Sequence, residues 1–152
     1  MRLATLITKA RLVDLQTADR AEALHLLAES VASALPSLTT EALVRLIDER
    51  ERLGSTGLGE GVAVPHVRTG AVPSLVVALG RSVHGIALGA TDGQAAHLIF
   101  LLVSPEGHGG PYLRALARVA KLASSLTWRD ALQSAHDPDA ALAVLAAFDD
   151  TD

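Results

Sequence analysis

Cysteine is absent from the 152 residues, which removes a disulfide framework and any thiolate zinc site and fits a reducing compartment, the cytoplasm. Aromatic residues make up only 3%, so the core has to be built from Ala, Leu and Val. No apolar run approaches the roughly 20 residues that a bilayer-spanning helix needs. Met1 to Leu6 also lacks the apolar centre of a signal peptide, and membrane insertion is not expected. Basic residues are in the minority: 13 Lys and Arg against 17 Asp and Glu leave a formal net charge of −4. The cationic footprint of a nucleic-acid binder is therefore missing. There is no GxxxxGK followed by Ser or Thr, and no HExxH among the six histidines, so neither a nucleotide nor a metal is expected as cofactor. Repeats, low-complexity segments and linkers are missing as well.

What remains suits one globular domain, with 49% hydrophobic and 20% charged residues on a chain long enough to bury a sizeable core. Arg11 to Leu15 reads as a first short strand. Asp19 with Glu22 forms an N-cap and capping-box pair. The helix after it places Leu24, Leu27, Ala28, Val31 and Leu35 on one face, and Pro36 stops it. A second helix from about Thr39 turns Leu43, Leu46, Ile47 and Leu53 inward. Val62–Val64, Leu75–Gly80 and Leu98–Val103 are apolar runs of strand length between turn-rich segments. Their continuous apolarity predicts strands covered by helices on both faces. Gly110 to Ser125 opens a helix with Leu113, Leu116, Ala117, Ala120 and Ser124 on one face, and Thr127 to Ser134 is a short helix. Asp137-Pro138 caps a last helix whose inner face is Leu142, Leu145 and Ala146. The expected fold is α/β, a single domain with a mixed β-sheet flanked by helices on both faces.

The chemistry concentrates in residues 50–66, RERLGSTGLGEGVAVPH. Four glycines, Gly54, Gly57, Gly59 and Gly61, let the backbone bend tightly and leave room for a ligand to approach. The loop hands over to the apolar run Gly61 to Val64, which Pro65 ends because it has no N–H to give a neighbouring strand. His66 is thereby expected at a strand end, facing a cleft. A neutral imidazole has one nitrogen with a free lone pair, able to attack phosphorus or bind a metal. Arg50 sits on the inner side of the second helix near its C-terminal end; it either caps the last carbonyls or lends its charge to the site. Asp92 in an Asp-Gly pair is first a turn former. His25 lies between core positions of the first helix, His84 in a turn-like link, His97 ahead of an apolar strand, and His136 beside the last helix; none pairs at a metal-binding spacing.

The run from Arg50 to His66 resembles the signature of the enzyme IIA domains of the fructose, mannitol and nitrogen-regulatory branch of the bacterial phosphotransferase system, RE–GSTG-I-G-GVA-I-PH. Thr91-Asp92-Gly93-Gln94 followed by Leu98 to Val103 is similar to that family's DGQ turn and central strand. Ser104-Pro105-Glu106-Gly107 and the helical Leu113 to Arg118 stand in family order, so the resemblance spans nearly all of residues 1–152. It implies a phosphotransferase component in which His66 accepts a phosphoryl group from the histidine-containing phosphocarrier protein, with Arg50 beside the ring. A downstream permease domain or a regulated protein would then receive the group or read its presence. The short length, with no permease segment attached, leans toward a free-standing member similar to the nitrogen-regulatory proteins.

One departure stands out. The family's second active-site histidine, often in an EEHLK context, falls on Tyr112. Tyrosine donates a hydrogen bond but carries no positive charge at neutral pH. Tyr112, Ser55 and His108 are candidates for holding the phosphoryl oxygens, and His108 reads equally as a solvated loop residue. The alternative function is an interaction domain of the same fold in which phosphotransfer is weakened or lost.

Overall fold

The computed structural model describes residues 2–107 and 109–149, so His108 lies outside the described residues. The chain runs α1 (Leu3–Leu6), a 3-10 turn (Lys9–Arg11), β1 (Leu12–Leu15), α2 (Arg20–Ala32) and α3 (Thr40–Glu51). It continues through β2 (Gly57–Gly59), β3 (Val62–Ala63), β4 (His66–Arg68), β5 (Val76–Ile86) and β6 (Ala96–Ser104) to α4 (Gly109–Ala123), α5 (Leu126–Ser134) and α6 (Pro138–Asp149). The six strands form one mixed sheet in the order β1-β5-β6-β3-β2, with β4 also paired to β6. β5 and β6 are antiparallel, whereas β1 runs parallel to β5, and β3 and β4 parallel to β6.

Side chains on a strand alternate between faces, and β6 shows why its apolarity is continuous. Leu98, Phe100 and Leu102 join a core with α1, α4, α5 and α6. Ile99, Leu101 and Val103 join a second core with α2 and α3. Phe100 stacks on the fully buried Trp128, ring centroids 5.7 Å apart. On the other face α2 lies so close to β5 that a β-carbon at Gly80 would stand 2.9 Å from Leu15 Cδ1 and 3.0 Å from Leu27 Cδ2. The two ends of the chain are tied together by the buried Asp149 carboxylate, which accepts the N–H groups of Leu3 (2.8 Å) and Ala4 (2.9 Å). Among the described residues no helix is long and apolar enough to cross a membrane.

Several sequence-based expectations shift. Asp19 caps α2 by accepting from the Ala21 N–H, but its own N–H donates to Thr17 Oγ1 (3.0 Å) in place of the Glu22 carboxylate. Helix α2 ends at Ala32, ahead of Pro36. Helix α4 buries Tyr112, Ala115, Val119, Leu122 and Ala123, a stripe rotated from the expected one, and Leu113 is 58% exposed. Leu53 lies beyond the end of α3 and is 83% exposed, not inward. Strand β5 runs well past Gly80, because the buried Arg81 guanidinium is satisfied by Asp14 (2.8 Å) and the carbonyls of Leu132 (3.0 Å) and Ala135 (2.8 Å). His84 is therefore an exposed strand residue beside a bulge, not a link, with Gly85 at φ 85 where the register to β6 shifts. His97 lies inside β6, its Nδ1 bonded to the Ser82 carbonyl (2.8 Å).

Candidate active site

Pro65 does interrupt the β3 run, but a new strand starts at once. His66, Val67 and Arg68 pair in parallel with Leu102, Val103 and Ser104 of β6. The Pro65 carbonyl accepts the Leu102 N–H (2.9 Å), so the residue that cannot donate still anchors the segment by accepting. Val67 is buried in the core beneath α2 and α3. Alternation therefore sends His66 and Arg68 to the opposite side of the strand. There they meet Tyr112 in the first turn of α4. The imidazole and phenol centroids are 5.3 Å apart at a 51° tilt, and the Arg68 guanidinium carbon stands 4.9 Å from the Tyr112 ring centroid. A cavity of about 400 Å³ opens over these residues, lined also by Leu46, Glu49 and Arg50 of α3 and by Leu53 and Val67.

His66 is half-buried, and its Nδ1 lies 2.8 Å from the Val64 carbonyl. A carbonyl can only accept, so Nδ1 carries the hydrogen and Nε2 is left with the free lone pair. Burial is the main cause holding the ring's pKa below its ordinary 6.5; the Val64 bond pulls upward, Arg50 and Arg68 push down, and Glu51 pushes up. The result is a neutral ring at neutral pH, with its tautomer set by the backbone two residues earlier. Nucleophilic attack by Nε2 requires that state.

The glycine-rich loop is braced by its own side chains. Arg50 Nη1 donates to the Gly54 carbonyl (3.3 Å), so Arg50 secures the loop and lines the His66 cavity at once. Thr56 Oγ1 donates to the Glu51 carboxylate (2.6 Å), and the Thr56 carbonyl accepts the Val64 N–H (3.0 Å). At the far end Asp92 accepts the N–H groups of Gln94 and Glu60, each at 3.0 Å. Those two bonds hold its carboxyl below the usual carboxylate range, and the one from Glu60 fastens a residue in the left-handed region, φ 57. Asp92 is thus a turn former that also clasps the β2–β3 hairpin.

The fold brings together Arg50, His66 and Tyr112 from three separate elements. Ser55 is placed elsewhere: its hydroxyl donates to the Leu88 carbonyl (2.9 Å), accepts the Gly57 N–H (3.1 Å), and is not among the cavity-lining groups. Arg68 and Glu49 were missed in the sequence. The signal for Arg68 was its spacing of two from His66, which places both on one face of a strand. A second cavity of about 360 Å³, lined by Leu6, Pro73, Ser74, Leu75, Ser104, Pro105 and Pro111, holds no titratable side chain.

Comparison with known proteins bears on the family and the fold. Residues 6–147 match the family described as phosphoenolpyruvate-dependent sugar phosphotransferase system, EIIA 2. Over 138 residues the chain is 34% identical to a nitrogen regulatory protein of Bradyrhizobium diazoefficiens, covering 91% of this chain and 90% of that one. It is 37% identical over 109 residues to the fructose-specific EIIABC component of Bacillus subtilis, covering 72% of this chain but only 17% of that longer protein. The crystal structure of the nitrogen regulatory protein IIA-Ntr from Neisseria meningitidis superposes with a TM-score of 0.87 at 27% identity, over 94% of this chain and 98% of that one. By the extent of the family match, the chain belongs to the EIIA 2 family of the phosphoenolpyruvate-dependent sugar phosphotransferase system.

Proposed function

We propose that this protein is a phosphohistidine carrier that accepts a phosphoryl group on Nε2 of His66 from the histidine phosphocarrier protein, in the cytoplasm. The observation that carries the reading is the 2.8 Å contact between Nδ1 and the Val64 carbonyl, which leaves the other nitrogen nucleophilic at the edge of a cavity lined by Arg50. In the transfer step the Nε2 lone pair forms a bond to phosphorus as the donor's own nitrogen–phosphorus bond breaks in line. The released donor imidazole keeps the electron pair of that bond. The Nδ1 proton stays shared with Val64. Catalysis here is positioning plus positive charge on the three phosphoryl oxygens, and Arg50 supplies that charge from α3.

The onward acceptor is a permease domain or a regulated protein. The match to nitrogen regulatory proteins over about nine-tenths of both chains favours a nitrogen-regulatory-like role over a sugar-transport one. Incubation with phosphoenolpyruvate, enzyme I and the phosphocarrier from the same cell tests the reading. The expected product is an acid-labile adduct of one phosphoryl group, absent in His66→Ala. The buried Tyr112 in contact with His66 motivates a second reading, an interaction domain of this fold with weakened or lost transfer. A wild-type protein that stays unmodified beside an active phosphocarrier would favour that domain.

A further inference from the structure

We infer that Arg68, seated on the Tyr112 ring, is the second phosphoryl-holding cation of this site, and that Tyr112 serves as its platform. The inference rests on the carrier reading above and extends it to a residue outside the sequence motif. A phosphoryl group on His66 carries about two negative charges near neutral pH, and Arg50 offers one positive charge against them. Tyr112 offers none. Arg68 lies two residues from His66 on the same side of β4 and lines the same cavity.

Its guanidinium has two neighbours on α4. It stands 4.9 Å from the Tyr112 centroid, within the range at which an aromatic face attracts a cation. It also lies against the start of α4, Nη2 being 3.5 Å from where a β-carbon on Gly109 would stand. The charge reaches the imidazole, since Arg68 is among the groups that lower the His66 pKa. A guanidinium stays protonated at every working pH and presents a planar fork that matches two phosphoryl oxygens. A histidine at position 112 would put a second titratable cation against that fork. A tyrosine puts a neutral π face there.

Potassium phosphoramidate tests the assignment without any protein partner. Near neutral pH its nitrogen is protonated; Nε2 of His66 takes the phosphoryl group and ammonia leaves with the electron pair of the broken nitrogen–phosphorus bond. Uptake would be followed by 31P NMR in wild type, Arg68→Ala, Arg68→Lys, Tyr112→Phe and His66→Ala, alongside proton NMR titration of the His66 ring. Arg68 is exposed, so its variants are expected to fold. Arg68→Ala is expected to slow uptake about tenfold, less than the roughly hundredfold or more lost with a water-excluded donor because Arg68 is exposed, and to raise the His66 midpoint. Arg68→Lys recovers part of the rate, because the charge returns without the fork. Tyr112→Phe, which keeps the ring and loses the hydroxyl, loses less than Arg68→Ala. Uptake in Arg68→Ala as fast as in wild type, with His66→Ala inert, overturns the assignment alone. A Tyr112→Phe defect as large as that of Arg68→Ala also overturns it, by moving the role to the phenol hydroxyl. Wild type that takes up nothing at His66 overturns the carrier reading, and the assignment falls with it.

Discussion

Thr56→Val removes a single hydroxyl from the loop that leads to His66. That hydroxyl donates to the Glu51 carboxylate at 2.6 Å, and the Thr56 carbonyl accepts from Val64, whose own carbonyl holds His66 Nδ1. Valine keeps the shape of threonine, so the change isolates the bond. Hydrogen bonds to charged groups contribute roughly 1.5–3 kcal/mol, and both residues are half-buried, where water can partly replace the lost donor. The lower end, about 1.5 kcal/mol, is therefore expected. In a domain of this size that corresponds to a fall in Tm of about 3–6 °C. Thermal and urea unfolding followed by circular dichroism would measure it. In a Glu51→Ala background the same substitution should cost almost nothing, because the acceptor is already gone. The reasoning fails if Thr56→Val stays within about 0.5 kcal/mol of wild type, or costs as much with Glu51 removed as with it present. Glu51→Gln adds an independent check. The Glu51 charge raises the His66 pKa, so the His66 midpoint must move down when that charge is lost.

Four further outcomes follow from named residues. With the His66 pKa held below 6.5 chiefly by burial, uptake of phosphoryl from phosphoramidate should rise with pH only in the acid range and level off above 6.5; a rate still climbing between about pH 7 and 8 would contradict this. The same shift has a stability counterpart: the unfolded chain takes its proton first as the pH falls, so stability present above pH 6.5 is lost between 6.5 and the lower folded value, measurable as a urea midpoint that declines over that window and recovers in His66→Gln. Asp149→Asn should destabilise nearly as much as Asp149→Ala, about 2–3 kcal/mol in urea unfolding, because an amide offers one acceptor to the two N–H groups of Leu3 and Ala4; an Asn variant as stable as wild type would refute the clamp. Gly80→Val should cost about 1–3 kcal/mol through overpacking against Leu15 and Leu27, read by the same unfolding assay.

Sequence periodicity was enough where a helix had one dominant stripe between clear caps. Leu24, Leu27, Ala28 and Val31 of α2, and Leu43 and Ile47 of α3, are all buried. The pattern failed on α4 because alanine is indifferent to its surroundings. Tyr112, Ala115, Val119 and Leu122 satisfy helical spacing as well as Leu113, Leu116 and Ala120 do. Only the partner surface on the sheet chooses between the two phases. Strand β5 was cut short for a different reason. Arg81 and Ser82 look like a loop, yet both are buried, and the carbonyls that satisfy Arg81 come from the end of α5, some fifty residues on. No local pattern records a partner at that distance.

The candidate site divides along the same line between local and distant information. The stretch from Arg50 to His66 is contiguous, so its glycines, its proline and its histidine could be weighed together. What the sequence could not order was direction. Ser55 in a glycine-rich loop has the chemistry of a phosphoryl ligand and of a loop brace, and in the structure its hydroxyl is used by Leu88 and Gly57. Arg68 was hidden by treating Pro65 as the end of strand structure. Proline removes a donor but leaves a carbonyl, and that carbonyl is bonded to Leu102, so pairing resumes at His66. Once it resumes, the buried Val67 between His66 and Arg68 dictates that the two polar side chains share a face. The tyrosine that looks like a lost histidine when position 112 is judged alone then acquires a partner, because an aromatic ring beside a strand arginine can hold a cation where an imidazolium would repel it.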